Sequence, residues 1–215
     1  MPQHIPHKTI ERLSLYRRLI AEHLPAGQAH VFSHELAALV KVTPSQVRRD
    51  VMITGCYGNP SRGYQVEELL RAINQVVGDA DPQALALVGI GKLGSALLGY
   101  FHARRPNLKI VAAFDRDPEK VNRLYLGVHC YALDDLPRIA AAEAIYTGII
   151  AVPGPEAQAV AERMVAAGIV GILNFAPAPL RVPPPVYVET IDVTTSLEKV
   201  AFYARRAAQD RAGRA

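Results

Sequence analysis

The chain has 215 residues, half of them hydrophobic and a fifth charged, with a net charge of +4. That composition excludes disorder of the whole chain, and the longest near-apolar stretch, Ala144 to Val152, falls well short of the ~20 residues that cross a bilayer. The two cysteines, Cys56 and Cys130, lie far apart in no paired pattern, so neither a disulfide framework nor a metal site is expected.

Met1 to Lys8 has no apolar core, so no secretory signal is expected, and the sparse thiols point to the cytoplasm. From Ile10 to about Asn74 the apolar positions recur at helical spacing. Ile10, Leu13, Tyr16 or Arg17, and Ile20 mark a first helix that ends before Pro25-Ala26-Gly27. Ser33 is the expected cap of a second helix, His34 to Val40, with Leu36, Leu39 and Val40 as its buried stripe. After the connector Lys41-Val42, a hydroxyl at Thr43 and a proline at position 44 predict a third helix, Pro44 to about Thr54, stopped by Gly55. The turn formers between Tyr57 and Tyr64 predict a strand–turn–strand tip, and Glu67 to Val77 reads as a further helix.

A helix, a tight turn, a second helix and a hairpin tip make a winged-helix pattern. On the third helix Val47 and Val51 turn inward, which sweeps Ser45, Gln46, Arg48, Arg49 and Met52 over the outer face. Arginine pairs with guanine edges or phosphate, and glutamine with adenine. Ser45, Gln46, Arg48 and Arg49 are therefore candidate readers of duplex DNA, and Arg62 in the wing could reach phosphate or a minor groove. Asp50 is placed to orient an arginine. The alternative is a helical interaction module whose arginines are merely solvated. Because the positive charge is spread evenly along the chain, recognition has to rest on a few placed arginines.

A break falls at Gly78-Asp79-Ala80-Asp81-Pro82, and the period then changes. Apolar runs at Ala84–Val88, Lys109–Phe114, Ala144–Val152, Ile169–Phe175 and Val186–Ile191 alternate with helical segments such as Pro155 to Ala167. Buried strands alternating with helices predict an α/β domain with a parallel sheet covered on both faces. The chain closes with an amphipathic helix, Thr195 to about Ala208, carrying Leu197, Val200, Ala201 and Ala204 on one face. The expected division is a DNA-binding unit with its linker over 1–80, a Rossmann-type domain over 81–193 and a C-terminal helix and tail over 194–215.

Gly89-Ile90-Gly91-Lys92-Leu93-Gly94 follows a buried strand and opens a helix at Ser95, the setting in which this spacing binds a dinucleotide. Gly89 permits the tight turn, Gly91 lets backbone approach a pyrophosphate, and Gly94 lets helix and strand pack closely. Asp115, at the end of the second strand, is the expected ribose-binding carboxylate and favours NAD(H) over NADP(H), with Arg116 beside it. Asp117-Pro118 reads as the start of the next helix, and a glycine-rich turn without a ligand is the alternative. The Rossmann unit takes up nearly all the remaining chain. His102 and His129 sit in no catalytic setting, so a sensor is expected rather than an enzyme. The rivals are a small NAD(P)-dependent oxidoreductase and a nucleotide-sensing interaction protein.

The combination resembles the Rex family of bacterial redox-sensing transcriptional repressors over nearly the whole chain. The resemblance is carried by Val42 to Asp50, Gly89 to Gly94, Phe114 to Val121, Val152-Pro153, and Ala167 to Pro177. It implies a homodimer on a palindromic operator, released when NADH binds, with NAD+ competing and the C-terminal helix swapped between subunits. It implies cofactor contacts from Gly89, Ile90, Gly91, Lys92, Leu93, Gly94, Asp115, Lys120, Val152, Pro153, Asn174, Phe175 and Ala176, with Tyr100 near the nicotinamide. It also implies a pair, Arg18 and Asp192, that links the two domains. The chain departs from the family's usual pattern at the wing (Asn59 to Tyr64), at Met52-Ile53-Thr54 and at Val193. The first two bear on the operator sequence and the third on redox discrimination.

Overall fold

The computed structural model describes residues 5–24, 27–78, 82–104 and 107–212. The chain divides into two compact units, Met1–Asp81 and Pro82–Ala215. The expected helix stop at Pro25-Ala26 and the linker residues Asp79, Ala80 and Asp81 lie outside the described residues.

The first unit contains α1 (His7–His23), β1 (His30–Val31), α2 (Ser33–Val40), α3 (Pro44–Ile53), β2 (Tyr64–Gln65) and α4 (Val66–Val77). Leu13, Tyr16 and Ile20 of α1 meet Leu36, Val47, Val51, Leu69 and Ile73 in one core. The start of α3 is as expected: the Thr43 hydroxyl accepts the Gln46 N–H at 3.2 Å, with Pro44 in the first helical position. The start of α2 differs. Phe32 is the cap, its N–H donating to the Glu35 carboxylate at 2.6 Å, and Ser33 is already helical. Leu39 is also exposed rather than buried. The short helix buries Leu36 and Ala37, and Leu39 lies two residues, about 200°, further round. At the tip, Asn59 and Gly63 exchange backbone hydrogen bonds of 2.8 and 2.7 Å. The tip is anchored from elsewhere, since β2 pairs antiparallel with β1. A two-residue strand carries no alternation, so β1 left no signal in the sequence.

The second unit is built from β3 (Gln83–Val88), α5 (Lys92–Arg104), β4 (Leu108–Asp115), β5 (Leu124–Tyr125), β6 (Val128–Ala132), α6 (Leu136–Ala142), β7 (Thr147–Ile150), α7 (Gly154–Ala166), β8 (Gly171–Asn174), β9 (Tyr187–Thr190) and α8 (Val193–Ala212). The sheet runs β5-β6-β4-β3-β7-β8-β9. All neighbours are parallel except β5 and β6, which form a hairpin. This is the doubly wound order, and it reverses between β3 and β7. Alternation along β3 sends Leu85 and Leu87 toward Leu98 of α5, and Ala86 and Val88 toward α6 and α7.

Three expectations are corrected in this unit. Asp117-Pro118 starts no helix: residues 118–122 form a single turn that ends at Asn122, whose φ of 62° is left-handed. The run Val186–Ile191 is not fully buried: β9 is the edge strand, with Tyr187 and Ile191 exposed. The final helix starts at Val193 rather than Thr195, where the Asp192 carboxylate accepts the Thr195 N–H at 2.9 Å and its hydroxyl at 2.6 Å. Leu197 and Val200 on α8 remain 66% and 65% exposed, so the helix is not packed on its own domain.

Candidate dinucleotide cleft and nucleic-acid interface

A cleft of about 570 Å³ opens where the sheet order reverses, beyond the carboxyl ends of the strands. Of the expected cofactor residues, Gly89, Gly91, Asp115, Lys120, Val152 and Pro153 line it. Two of the three glycines are required by the protein itself. Gly89 has φ of +99°, and a Cβ there would lie 2.6 Å from the Ala151 carbonyl oxygen. A Cβ on Gly94 would overlap the Gly89 carbonyl oxygen. Gly91 is different: its φ is outside the left-handed region, and a Cβ would meet no described atom within 4 Å beyond its chain neighbours. Packing does not ask for glycine at this position.

The first turn of α5 begins directly after Gly91, whose carbonyl accepts the Ser95 N–H at 2.9 Å. The amides of that turn have no intrahelical acceptor and form an anion-binding end. Opposite it, Asp115 is 8% exposed and accepts from the Ile90 N–H at 2.8 Å, the Asp117 N–H at 3.0 Å and the Lys120 Nζ at 3.1 Å. Burial alone would raise its pKa. The two backbone donors and Lys120 outweigh that and hold the carboxyl below its ordinary range, so it is ionised at neutral pH. Arg116 and Glu156 form a 3.0 Å ion pair that links the end of β4 to the first turn of α7 beside the cleft.

The other expected cofactor residues lie apart from the cleft lining. Ile90 and Gly94 are buried under the turn, and Lys92 and Leu93 are exposed on α5. Asn174 is fully buried and ties down the loop after β8: its Nδ2 donates to the carbonyls of Ala176 and Ala178 at 3.2 and 2.9 Å, and its Oδ1 accepts the Ala176 N–H at 3.0 Å. Phe175 is half-buried and Ala176 buried in that loop. Tyr100 is half-exposed on α5, edge-on to Phe101.

On the reading helix, Ser45, Arg48 and Arg49 are exposed, as is Arg62 in the wing, and Gln46 is half-buried. Arg48 donates to the Ser33 hydroxyl at 3.1 Å. Asp50 is 1% exposed and does orient an arginine, though not one on its own helix. Arg12 of α1 donates to both of its oxygens at 2.6 and 2.7 Å, joined by the Tyr16 hydroxyl and the Gln46 Nε2, each at 2.9 Å. Burial would raise the Asp50 pKa, but the hydrogen bonds from Arg12, Gln46 and Tyr16 prevail and lower it. Burial, with the hydrogen bond to Asp50, pushes the Tyr16 phenol well above its usual range. Among the described residues no group of three or more metal-ligating side chains is assembled, and no helix is long and apolar enough to cross a membrane.

Residues 4–51 match the family model described as the putative DNA-binding protein N-terminus, and residues 80–178 match that of the CoA binding domain. The redox-sensing transcriptional repressor Rex of Syntrophobacter fumaroxidans is 40% identical over 200 residues, covering 93% of this chain and 95% of the relative. The chain belongs to the Rex family. Rex of Rhodopirellula baltica is likewise 40% identical, over 90% of this chain and 81% of its own. Among solved structures, the Rex-family repressor RSP superposes with a TM-score of 0.86 at 28% identity, over 99% of this chain and 100% of RSP. RSP in complex with beta-NAD+ and operator DNA gives 0.88 at 29% identity, over 97% and 96%. RSP in complex with beta-NADH gives 0.84 at 28% identity, over 97% and 98%.

Two features of this Rex chain escaped the sequence. Arg12 is 38 positions from Asp50, and nothing in local spacing joins them. Glu156 and Val160 also line the cleft. Their i, i+4 spacing on the helix after Val152-Pro153 was a usable signal, because that helix starts beside the switch point.

Proposed function

We propose that the protein is a DNA-binding transcriptional repressor whose operator affinity is set by the NADH/NAD+ ratio. The observation that carries this reading is Gly91, a glycine that its own packing does not require, lining a cleft at a helix N-terminus in a chain that also presents Arg48 and Arg49 on a winged helix.

The residues present fit the dinucleotide. The α5 amides and the bare Gly91 backbone would hold the pyrophosphate. A carboxylate has about four acceptor sites; three donors already hold Asp115 in place, which leaves acceptor capacity for a ribose hydroxyl. Lys120 keeps that carboxylate aimed and ionised. Bound NAD(H) supplies a redox signal as one positive charge on the nicotinamide, present in NAD+ and absent in NADH. It acts on DNA binding only through its differential affinity for the two arrangements of the dimer. Arg18 on α1 and Asp192 at the start of α8 are the proposed coupling pair.

A second copy of the chain is the proposed partner of α8, whose exposed apolar side chains, with the bared edge strand β9, form a surface of the kind that marks association. Two reading helices would then meet half-sites about 34–36 Å or a multiple apart. No catalysis, no metal and a cytoplasmic location belong to the same reading. The reading of no catalysis is supported by the placement of His102, exposed on α5, and of His129, on β6 against Tyr131, neither of which lines the cleft.

The test is a duplex enriched by the full-length protein from random sequence, titrated with NADH and NAD+ at fixed salt. NADH should weaken binding and NAD+ should restore it. Unchanged affinity across physiological NADH would sink the proposal.

A further inference from the structure

The sequence invites Gln46 to read adenine, since its amide can donate and accept at one base edge. The structure engages both ends of that amide inside the protein. Its Nε2 donates to Asp50 at 2.9 Å, and its Oε1 accepts from Arg49 at 2.9 Å. This orientation is fixed by chemistry. A carboxylate only accepts and a guanidinium only donates, so the amide can face its two neighbours in one way alone. Asp50 is itself held: Arg12 grips both oxygens from α1, Tyr16 adds a third donor, and the carboxylate is 1% exposed. A chain of contacts thus runs from a buried ion pair, through Gln46, to an exposed arginine on the reading face.

We propose that Gln46 is a positioning residue and reads no base, and that the Arg12–Asp50–Gln46 relay pre-aims Arg49 at a guanine. The inference rests on the DNA-reading role proposed above. The relay uses one of the five N–H donors of Arg49 and leaves enough for the bidentate pair with guanine O6 and N7. Holding a long side chain in one rotamer before binding removes an ordering cost that association otherwise carries. Ser45 and Arg48, exposed on the same helix, are left for phosphate and neighbouring bases. Releasing Gln46 to read adenine would strip a hydrogen bond from a buried carboxylate, and a buried charge tolerates that poorly.

The experiment selects duplexes from a random-sequence pool with the full-length wild type, Gln46→Ala, Asp50→Asn and Arg49→Ala, and then measures affinity for the wild-type consensus. Gln46→Ala exchanges a half-buried helical residue for the best helix former, so it should fold. It should select the same bases at every position and bind the consensus about twofold to tenfold more weakly, the ordering cost of one long side chain that is no longer held before binding. Arg49→Ala should abolish one guanine preference in each half-site. Asp50→Asn should behave as Gln46→Ala does, with the consensus kept and affinity reduced, and Gln46→Ala carries the test if that variant does not fold. A Gln46→Ala consensus that loses an adenine preference overturns the proposal, because glutamine would then be reading that base. Wild-type affinity in Gln46→Ala overturns it too. If the wild type itself enriches no sequence, the DNA-reading role fails and the relay has nothing to aim at.

Discussion

Replacing Gly91 by alanine separates what the fold needs from what the ligand needs. A Cβ at this position meets no described atom within 4 Å beyond its chain neighbours, and its φ lies outside the left-handed region. The folded state should therefore gain slightly, by about 0.4–1 kcal/mol, because alanine restricts the unfolded chain. The ligand side is different. Gly91 lines the cleft beside the first turn of α5, and an added methyl stands between a phosphate oxygen and backbone amides that must come within about 3 Å of it. Losing one such charge-assisted bond costs roughly 1.5–3 kcal/mol, or about tenfold to a hundredfold in the dissociation constant. Thermal unfolding without ligand and calorimetric titration with NADH are the paired assays. Gly94→Ala is the contrast: its methyl would overlap the Gly89 carbonyl oxygen, and stability should fall together with binding. A Gly91→Ala protein that binds NADH like the wild type would refute the assignment of the cleft. One that unfolds at markedly lower temperature would refute the packing argument.

The remaining predictions address the ion pair, the thiols and α8. The Asp50 pKa is lower in the folded chain than in the unfolded one. Its stabilisation is therefore complete above an unfolded value of about 3.9 and disappears as pH falls through the folded value. Asp50→Asn should cost about 3–5 kcal/mol in urea unfolding at pH 7, and the gap from wild type should narrow in strong acid; an equal gap at both pH values contradicts this. Cys56 is 3% exposed and Cys130 fully buried. Burial raises both thiol pKa values, that of Cys130 to about 11. Neither should react with a disulfide reagent in the native protein near neutral pH, and both should react once it is unfolded; rapid native labelling of Cys56 would contradict its burial. Leu197→Asp with Val200→Asp removes two apolar side chains, each worth about 1.5–3 kcal/mol when buried. Sedimentation should show a dimer for the wild type and a folded monomer for the variant, and an unchanged mass would remove α8 from the interface.

The sequence by itself determined the helices of the first unit, the strands β3, β4, β7, β8 and β9, the Gly89–Gly94 turn, the carboxylate at Asp115 and the inward Val47 and Val51, but not β1, β5 or β6. These are local matters: period, capping and backbone freedom act over a few residues, and so they are written in spacing. The exposure of Leu39 and the pairing of β1 with the wing were decided by tertiary packing, which local propensity does not report. The same holds for the site. Asp115 was legible as a carboxylate at the end of the second strand, but the Ile90, Asp117 and Lys120 donors that fix it depend on the fold. Gln46 was legible as a polar residue on the reading face. Only the structure set it between Asp50 and Arg49, with Arg12 behind them. The physical reason is common to these cases. A side chain's type and helical face follow from its neighbours along the chain, whereas the partner of a hydrogen-bonding group follows from which distant segments the folded core brings within 3 Å.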